Sequence, residues 1–341
     1  MSVPRDSFEI GPVRVRAGRK QALALPITRL VTGADVDLPI RVVHGRHDGP
    51  TVWIDAAIHG DEAVGVEVVR QVLADLDAKS LRGTLIAVPI VNVLGFMNGD
   101  RYLPDRRDLN RSFPGSRRGS LAARIAHLMM TEVVAKCEVG IDLHTGSDRR
   151  TNLPQIRADL EDERTRELSI AFGAPVMMHA RLRDGSLRAA AREAGAKVLL
   201  YEAGEAWRMD GWAVDAGVRG VRRVLAHLGM IEPPEEDPPA PTLESWRSGW
   251  VRARGTGMLH LEAELGQRVT KGERLGGLFD SFGKRVRLVH ADRDGIVIGR
   301  TEAPLVSSGD AVVHLAEVLE SPAQAVEHEP HPDSVEETDE S

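Results

Sequence analysis

Four short stretches hold residue types that together could hydrolyse an amide. In Ile58-His59-Gly60-Asp61-Glu62 a histidine and a carboxylate stand three residues apart, so both can point at one metal ion while Gly60 permits a tight turn. Alone, the pattern also fits a helix N-terminus with Asp61 and Glu62 set to favour the helix dipole. Asp142-Leu143-His144-Thr145-Gly146 supplies a second histidine, and two His with one Glu, leaving the fourth position to water, is an established catalytic zinc set. His144 equally fits a core imidazole bonded to backbone. Asp142 either backs His144 or is turned by the strand to the opposite face. In Tyr201-Glu202-Ala203-Gly204-Glu205 a carboxylate ends an apolar run. That position is poor for stability unless the carboxylate is paired, and it suits a general base. The fourth stretch, Arg101 to Arg111, is a polar loop in a region with six arginines between residues 101 and 118. Guanidinium groups fork onto carboxylates, which suits an anionic substrate. A solvated loop or an RNA contact would have the same composition.

These stretches gain meaning from the elements that must hold them. Apolar runs suited to buried strands (51–58, 85–91, 139–143, 198–201) alternate with helical patterns such as Val64, Val68, Val72 and Leu76, or Leu121, Ile125, Leu128 and Val133. Such alternation predicts an α/β sheet with helices on both faces. HGDE, DLHTG and YEAGE then all fall at strand ends, where ligand sites of open α/β sheets lie. Val13 to Val15, Ala22 to Leu30 and Val36 to Val43 read as antiparallel strands that make the sheet mixed.

The chain has 341 residues and one cysteine, Cys137, so no internal disulfide is available, and with no secretory leader after Met1 the expected compartment is the cytoplasm. Its net charge of −7 sits in the last 21 residues, which hold seven acids and no Lys or Arg. The remainder is near neutral, which argues against nucleic-acid binding, and no apolar run is long enough for a membrane span. Glu232 to Pro241 (EPPEEDPPAP) reads as an extended linker. We therefore expect a catalytic domain over 1–231, a linker over 232–241, a small β domain over 242–320 and a disordered acidic tail over 321–341. Within the β domain, Val269-Thr-Lys-Gly272-Glu273 is echoed by Val306-Ser-Ser-Gly309-Asp310. The stretch GQRVTKGERLGGLFDSFG resembles barrel-sandwich carrier domains, but ADRDG stands where a carrier has its lysine.

Taken in order, HGDE, NVLGFMNGDRYLPDRRDLNRSFPG, DLHTG, PQIRAD and YEAGE resemble the succinylglutamate desuccinylase/aspartoacylase family of the zinc carboxypeptidase superfamily over roughly residues 20–228. The resemblance implies a zinc-carboxypeptidase-like mixed sheet followed by a small all-β, barrel-sandwich-like domain. It also implies one zinc per chain held by His59, Glu62 and His144, with Glu202 as general base. Arg101 resembles the carbonyl-polarising arginine, and Asn110 with Arg111 the substrate-carboxylate clamp. Arg192, ten residues before Glu202, has the spacing of an acyl-carboxylate arginine, though an exposed helix arginine explains it as well. The loop from Arg101 to Asn110 is longer than in aspartoacylases, which bears on the acyl group. The expected activity is removal of an acyl group from an N-acyl amino acid or similar small amine. A zinc carboxypeptidase acting on short peptides and a non-catalytic metal-binding module are the alternatives. The expected partner is a small anionic molecule, not nucleic acid or membrane; the oligomeric state, a homo-oligomer included, is left open.

Overall fold

The computed structural model describes residues 5–235 and 238–318; the predicted acidic tail, and part of the predicted linker, lie outside them. A short antiparallel ribbon, β1 (Phe8–Ile10) and β2 (Val13–Val15), leads into β3 (Arg19–Arg29), β4 (Asp35–His44), β5 (His47–Ala56), α1 (Val64–Asp75) and β6 (Arg82–Val88). Then come α2 (Val93–Asn98) and α3 (Leu121–Leu128), which runs on through a π turn and a final tight turn. Next are β7 (Val139–Gly146), β8 (Arg150–Ala158), α4 (Glu163–Phe172), β9 (Val176–His179), α5 (Leu187–Glu193), β10 (Lys197–Glu205) and α6 (Gly211–His227). Among the described residues from Leu243 to Val318 the regular elements are all strands: β11 (Leu243–Arg252), β12 (Gly257–Leu261), β13 (Arg268–Val269), β14 (Arg274–Phe279), β15 (Arg285–His290), β16 (Gly295–Thr301), β17 (Leu305–Val306) and β18 (Ala311–Val318).

Strands β6, β5, β7 and β10 run parallel at the centre of a mixed sheet, with antiparallel β4 and β3 on one side and β8 on the other. The period-two alternation of a strand decides which helices cover each face. Val52, Ile54 and Ala56 of β5 pack with Val64, Val68, Leu168, Val221 and Leu225 of α1, α4 and α6. Trp53, between them, joins Ile125, Met129 and Leu187 of α3, α5 and their surroundings on the other face. This is the helix-covered mixed sheet expected from the sequence.

The strand-rich C-terminal region has a core of its own, including Val251, Leu275, Leu278, Val297, Val313 and Leu315. It also shares strands with the large sheet: β11 pairs with β9, β18 with β11, β16 with β18, and β16 returns to pair with β8. Strands β8, β9, β11, β18 and β16 thus close on themselves. The echoed turns are alike in structure. Thr270 and Ser307 donate backbone N–H groups to the side chains of Glu273 and Asp310, and Gly272 and Gly309 both have positive φ. Among the described residues no helix is long and apolar enough to cross a membrane.

Candidate metal and catalytic site

Three of the predicted stretches meet beyond the carboxyl ends of β5, β7 and β10. His59 and Glu62 lie in the loop from β5 to α1, where Gly60 passes so close to the next loop that a Cβ would fall 2.2 Å from the carbonyl carbon of Gly95. His144 sits on β7 and Glu202 beside it on β10, the two in parallel register. Glu62 bridges both imidazoles: its Oε1 is 2.7 Å from His59 Nδ1 and its Oε2 2.7 Å from His144 Nδ1. One donor atom from each of the three residues falls within 4.8 Å of the others, and all three residues are buried.

That set fits a divalent metal. Two imidazole nitrogens and a carboxylate converge in a buried space, where ionic groups persist only if paired or metal-bound. Burial alone would push both imidazoles down, but the Glu62 carboxylate outweighs it at His59, as Asp142 and Glu62 do at His144, so both are raised. Burial would raise Glu62, yet the two histidines hold it well below the usual carboxylate range. The raised imidazoles and the lowered Glu62 support one another electrostatically, and a metal bound there would take the place of protons on the imidazoles. Next to the cluster, burial and Glu62 push Asp61 up to about 6.

The nitrogens facing away from the cluster have carboxylates near them. His144 Nε2 is 2.9 Å from Asp142 Oδ1, which places Asp142 behind His144, as the i, i+2 spacing of one strand face requires. His59 Nε2 is 3.5 Å from Asp108 Oδ1. Burial would raise Asp108, but His59, Arg101 and Arg111 hold it well below the carboxylate range. Such outer partners fix which ring nitrogen is left to bind metal. Asp55 pairs in register with Asp142 across β5 and β7 and accepts a 2.7 Å hydrogen bond from Trp53 Nε1. Burial and the Asp142 charge raise Asp55 far above the normal range.

Arg101 reaches the cluster. Its Nη1 is 3.5 Å from Glu62 Oε1 and its Nη2 3.6 Å from Asp108 Oδ2. Glu202 accepts a 2.9 Å hydrogen bond from Asn152 Nδ2 and lies 4.0 Å from Arg157 Nε. Asn110 and Arg111 form a single tight turn after Asp108, whose side chain accepts from Asn110 N–H. The Asn110 side-chain oxygen accepts the backbone N–H of Leu187 at the start of α5 at 2.9 Å. Arg111 is exposed and donates to the Asn110 carbonyl. Arg192 is not brought to the site. Its side chain is 59% exposed and pairs with Asp159 at 3.3 Å; it is Arg188, one turn earlier, that burial and the neighbouring Arg157 push down to about 10. Residues the sequence reasoning missed are Asp55, Asp108, Asn152, Arg157 and Arg188. Of these, Asp108 and Arg157 lie inside the motifs that carry the family resemblance.

With this geometry in place, the comparisons with known proteins are specific. The succinylglutamate desuccinylase/aspartoacylase catalytic domain matches residues 48–228, and the chain belongs to that family. It is 30% identical over 299 residues to the N-alpha-acetyl-L-2,4-diaminobutyric acid deacetylase of Halomonas elongata, covering 84% of this chain and 87% of that protein. Among solved structures it is similar to a succinylglutamate desuccinylase/aspartoacylase from Rhodobacter sphaeroides, at 28% identity and a TM-score of 0.78 over 92% of this chain and 97% of the other. The product-bound ectoine utilization protein EutE (DoeB) of Ruegeria pomeroyi is 25% identical with a TM-score of 0.78, over 93% of this chain and 97% of that one.

Proposed function

We propose that this protein is a zinc-dependent amidohydrolase that removes the acyl group from an N-acyl amino acid or similar small N-acylated amine in the cytoplasm. The observation that carries the reading is the buried His59–Glu62–His144 cluster, its three donors within 4.8 Å, with Glu202 in register beside His144. One zinc held by these residues would supply Lewis-acid polarisation of the scissile carbonyl and a water whose pKa is lowered toward about 7. The protein's own groups do the rest. Glu202, oriented by Asn152, takes the proton of the attacking water and returns it to the leaving amine. Arg101, 18% exposed at the side chain and against Glu62, stabilises the negative charge that develops on the carbonyl oxygen. Arg111, with the free amide nitrogen of Asn110, binds a substrate carboxylate. Asp142 and Asp108 keep His144 and His59 in the tautomers that leave Nδ1 free.

The similarity to the Halomonas elongata enzyme supports an acetyl group on a diaminobutyrate-like amine as the first substrate to try. The test is a screen of the zinc-loaded protein against N-alpha-acetyl-L-2,4-diaminobutyrate, other N-acetyl and N-succinyl amino acids, and dipeptides, with metal analysis of the same sample. Release of a free amine from one N-acyl amino acid at a kcat/KM well above that for any dipeptide is the expected result. Hydrolysis of dipeptides alone would turn the reading to a carboxypeptidase, and no turnover with a full complement of zinc would turn it to a binding module.

A further inference from the structure

Trp207 follows β10, five residues after Glu202, and its backbone is left-handed, with φ at 61°. For a bulky residue that conformation is strained and persists only where surrounding contacts over-determine it. Burial of the ring is not what holds it, since the residue is 53% exposed. Two other contacts do. The Trp207 N–H donates to the carbonyl of Asp61, inside the His59–Glu62 loop, at 2.8 Å. Its indole lies so close over Gly99 that a Cβ there would sit 2.3 Å from Trp207 Cζ2.

Gly99 is itself left-handed, closes the C-terminus of α2, and stands two residues before Arg101. From the other side, the Arg101 carbonyl accepts from Gly60 N–H at 3.3 Å and from the side-chain amide of Asn92 at 3.3 Å. Trp207 therefore joins three segments: the end of the Glu202 strand, the metal-ligand loop through its backbone, and the Arg101 loop through its ring. The backbone bond needs no side chain, so the ring's own contribution falls on the Gly99–Arg101 segment.

We propose that Trp207 is a positioning residue whose indole fixes the Arg101 loop against the metal-ligand loop, so that the Arg101 guanidinium is held where charge develops in the reaction. The proposal rests on the role given to Arg101 above. A displacement of the guanidinium by about 1 Å is enough to cost up to about a hundredfold in rate.

Trp207→Gly removes the ring while glycine keeps the left-handed backbone without strain, so the bond to Asp61 is retained. It is combined with Arg101→Ala in a double-mutant cycle, measuring kcat, KM and bound zinc on the best substrate of the screen. Trp207→Gly is expected to lower kcat about 10- to 100-fold with KM changed less than about twofold and zinc intact. In the Arg101→Ala background the same change should lower kcat by no more than about twofold, and Trp207→Phe should restore most of the rate. An unchanged kcat, a full loss in the Arg101→Ala background, or loss of zinc together with rate would each overturn the proposal. Near-normal turnover of Arg101→Ala alone would instead remove the role of Arg101, and the proposal with it, so the two failures are told apart. If the glycine variant does not fold, Trp207→Leu takes its place in the cycle under the same criteria.

Discussion

His59, Glu62 and His144 are at most 5% exposed and stand on or directly after strands of the parallel centre of the sheet, whereas Arg111 is exposed on a single tight turn in a long loop. The two regions are linked through Asp108, which lies near His59 and feels the charge of Arg111, but they are held in different ways. Around the His59–Glu62–His144 cluster each imidazole has a carboxylate on both sides, Glu62 in front and Asp142 or Asp108 behind. Arg111 is exposed, donates to the backbone carbonyl of Asn110 and acts on Asp108 only through its charge. Rigid placement serves groups that must meet a transition state within a few tenths of an ångström. An exposed guanidinium held by few contacts suits capture of a charged group more than exact placement of a reacting one.

The difference sets the order of expected effects. His144→Ala, and His59→Ala likewise, should lose zinc and turnover together, by roughly 10³-fold or more because the Lewis acid leaves with the ligand. Zinc analysis and rate on the same preparation check this, and full zinc in either variant would move the metal elsewhere. The pH dependence has a definite sign. Both imidazoles have raised pKa values in the metal-free protein, so the stability their protonation contributes is complete below about pH 6.5 and is lost as pH rises through the folded values. Zinc bound as proposed would have to displace those protons, so its affinity should fall as pH drops through that range, as a competition titration at two pH values would show.

Next in size is the base. Glu202→Gln keeps the shape and removes the basic oxygen, and should lower kcat by about 10² to 10⁴ with zinc retained. Near-normal turnover would move the base, Glu205 being the first place to look. Asn152→Ala removes a hydrogen bond to a charged group, worth about 1.5–3 kcal/mol, or roughly ten- to a hundredfold in rate if it acts only through Glu202. Asn152 is in turn placed by the C-terminal strands: Gly299 of β16 pairs with it, and a Cβ on Gly299 would fall 2.7 Å from its side-chain oxygen.

That last contact marks where sequence reasoning runs out. The strand, turn and charged-residue pattern of HGDE, DLHTG and YEAGE was legible because each lies within a few consecutive residues, and the alternation around them was enough to predict a helix-covered sheet. Asn152 was not, because its place depends on β16 returning to β8 from nearly 150 residues away, a pairing no local pattern announces. Asp55 read as the interior of a buried strand, and only the β5–β7 register puts it against Asp142. Arg192 drew notice by a ten-residue spacing, yet the structure turns it to Asp159, and it is the half-buried Arg188 that lies nearer Arg157 and Asp142. Asn110 was read as a substrate ligand. Half of its amide is committed to the start of α5, a contact that depends on the tertiary approach of residues 77 positions apart.

Asn110 and Arg111 give the sharpest test of the comparison, with Asn110 the smallest effect, since neighbours in one motif should fail differently. Arg111→Ala should raise KM about 10- to 100-fold, the worth of a charge-assisted pair, and leave kcat nearly unchanged, because the carboxylate it binds is present in both ground and transition states. The loss should be large for a substrate with a free carboxylate and small for its amide. Arg111→Lys should recover only part of it, since an ammonium cannot reproduce a two-point fork. Asn110→Ala removes the acceptor for the Leu187 N–H, a capping interaction worth about 1 kcal/mol, so it should lower the melting temperature by a few degrees in addition to any change in KM. Thermal unfolding measured beside the acid-versus-amide kinetics separates the two residues. An equal loss on acid and amide in Arg111→Ala would show that the exposed arginine does not read the carboxylate, and the N-acyl amino acid reading would narrow to the amide bond alone.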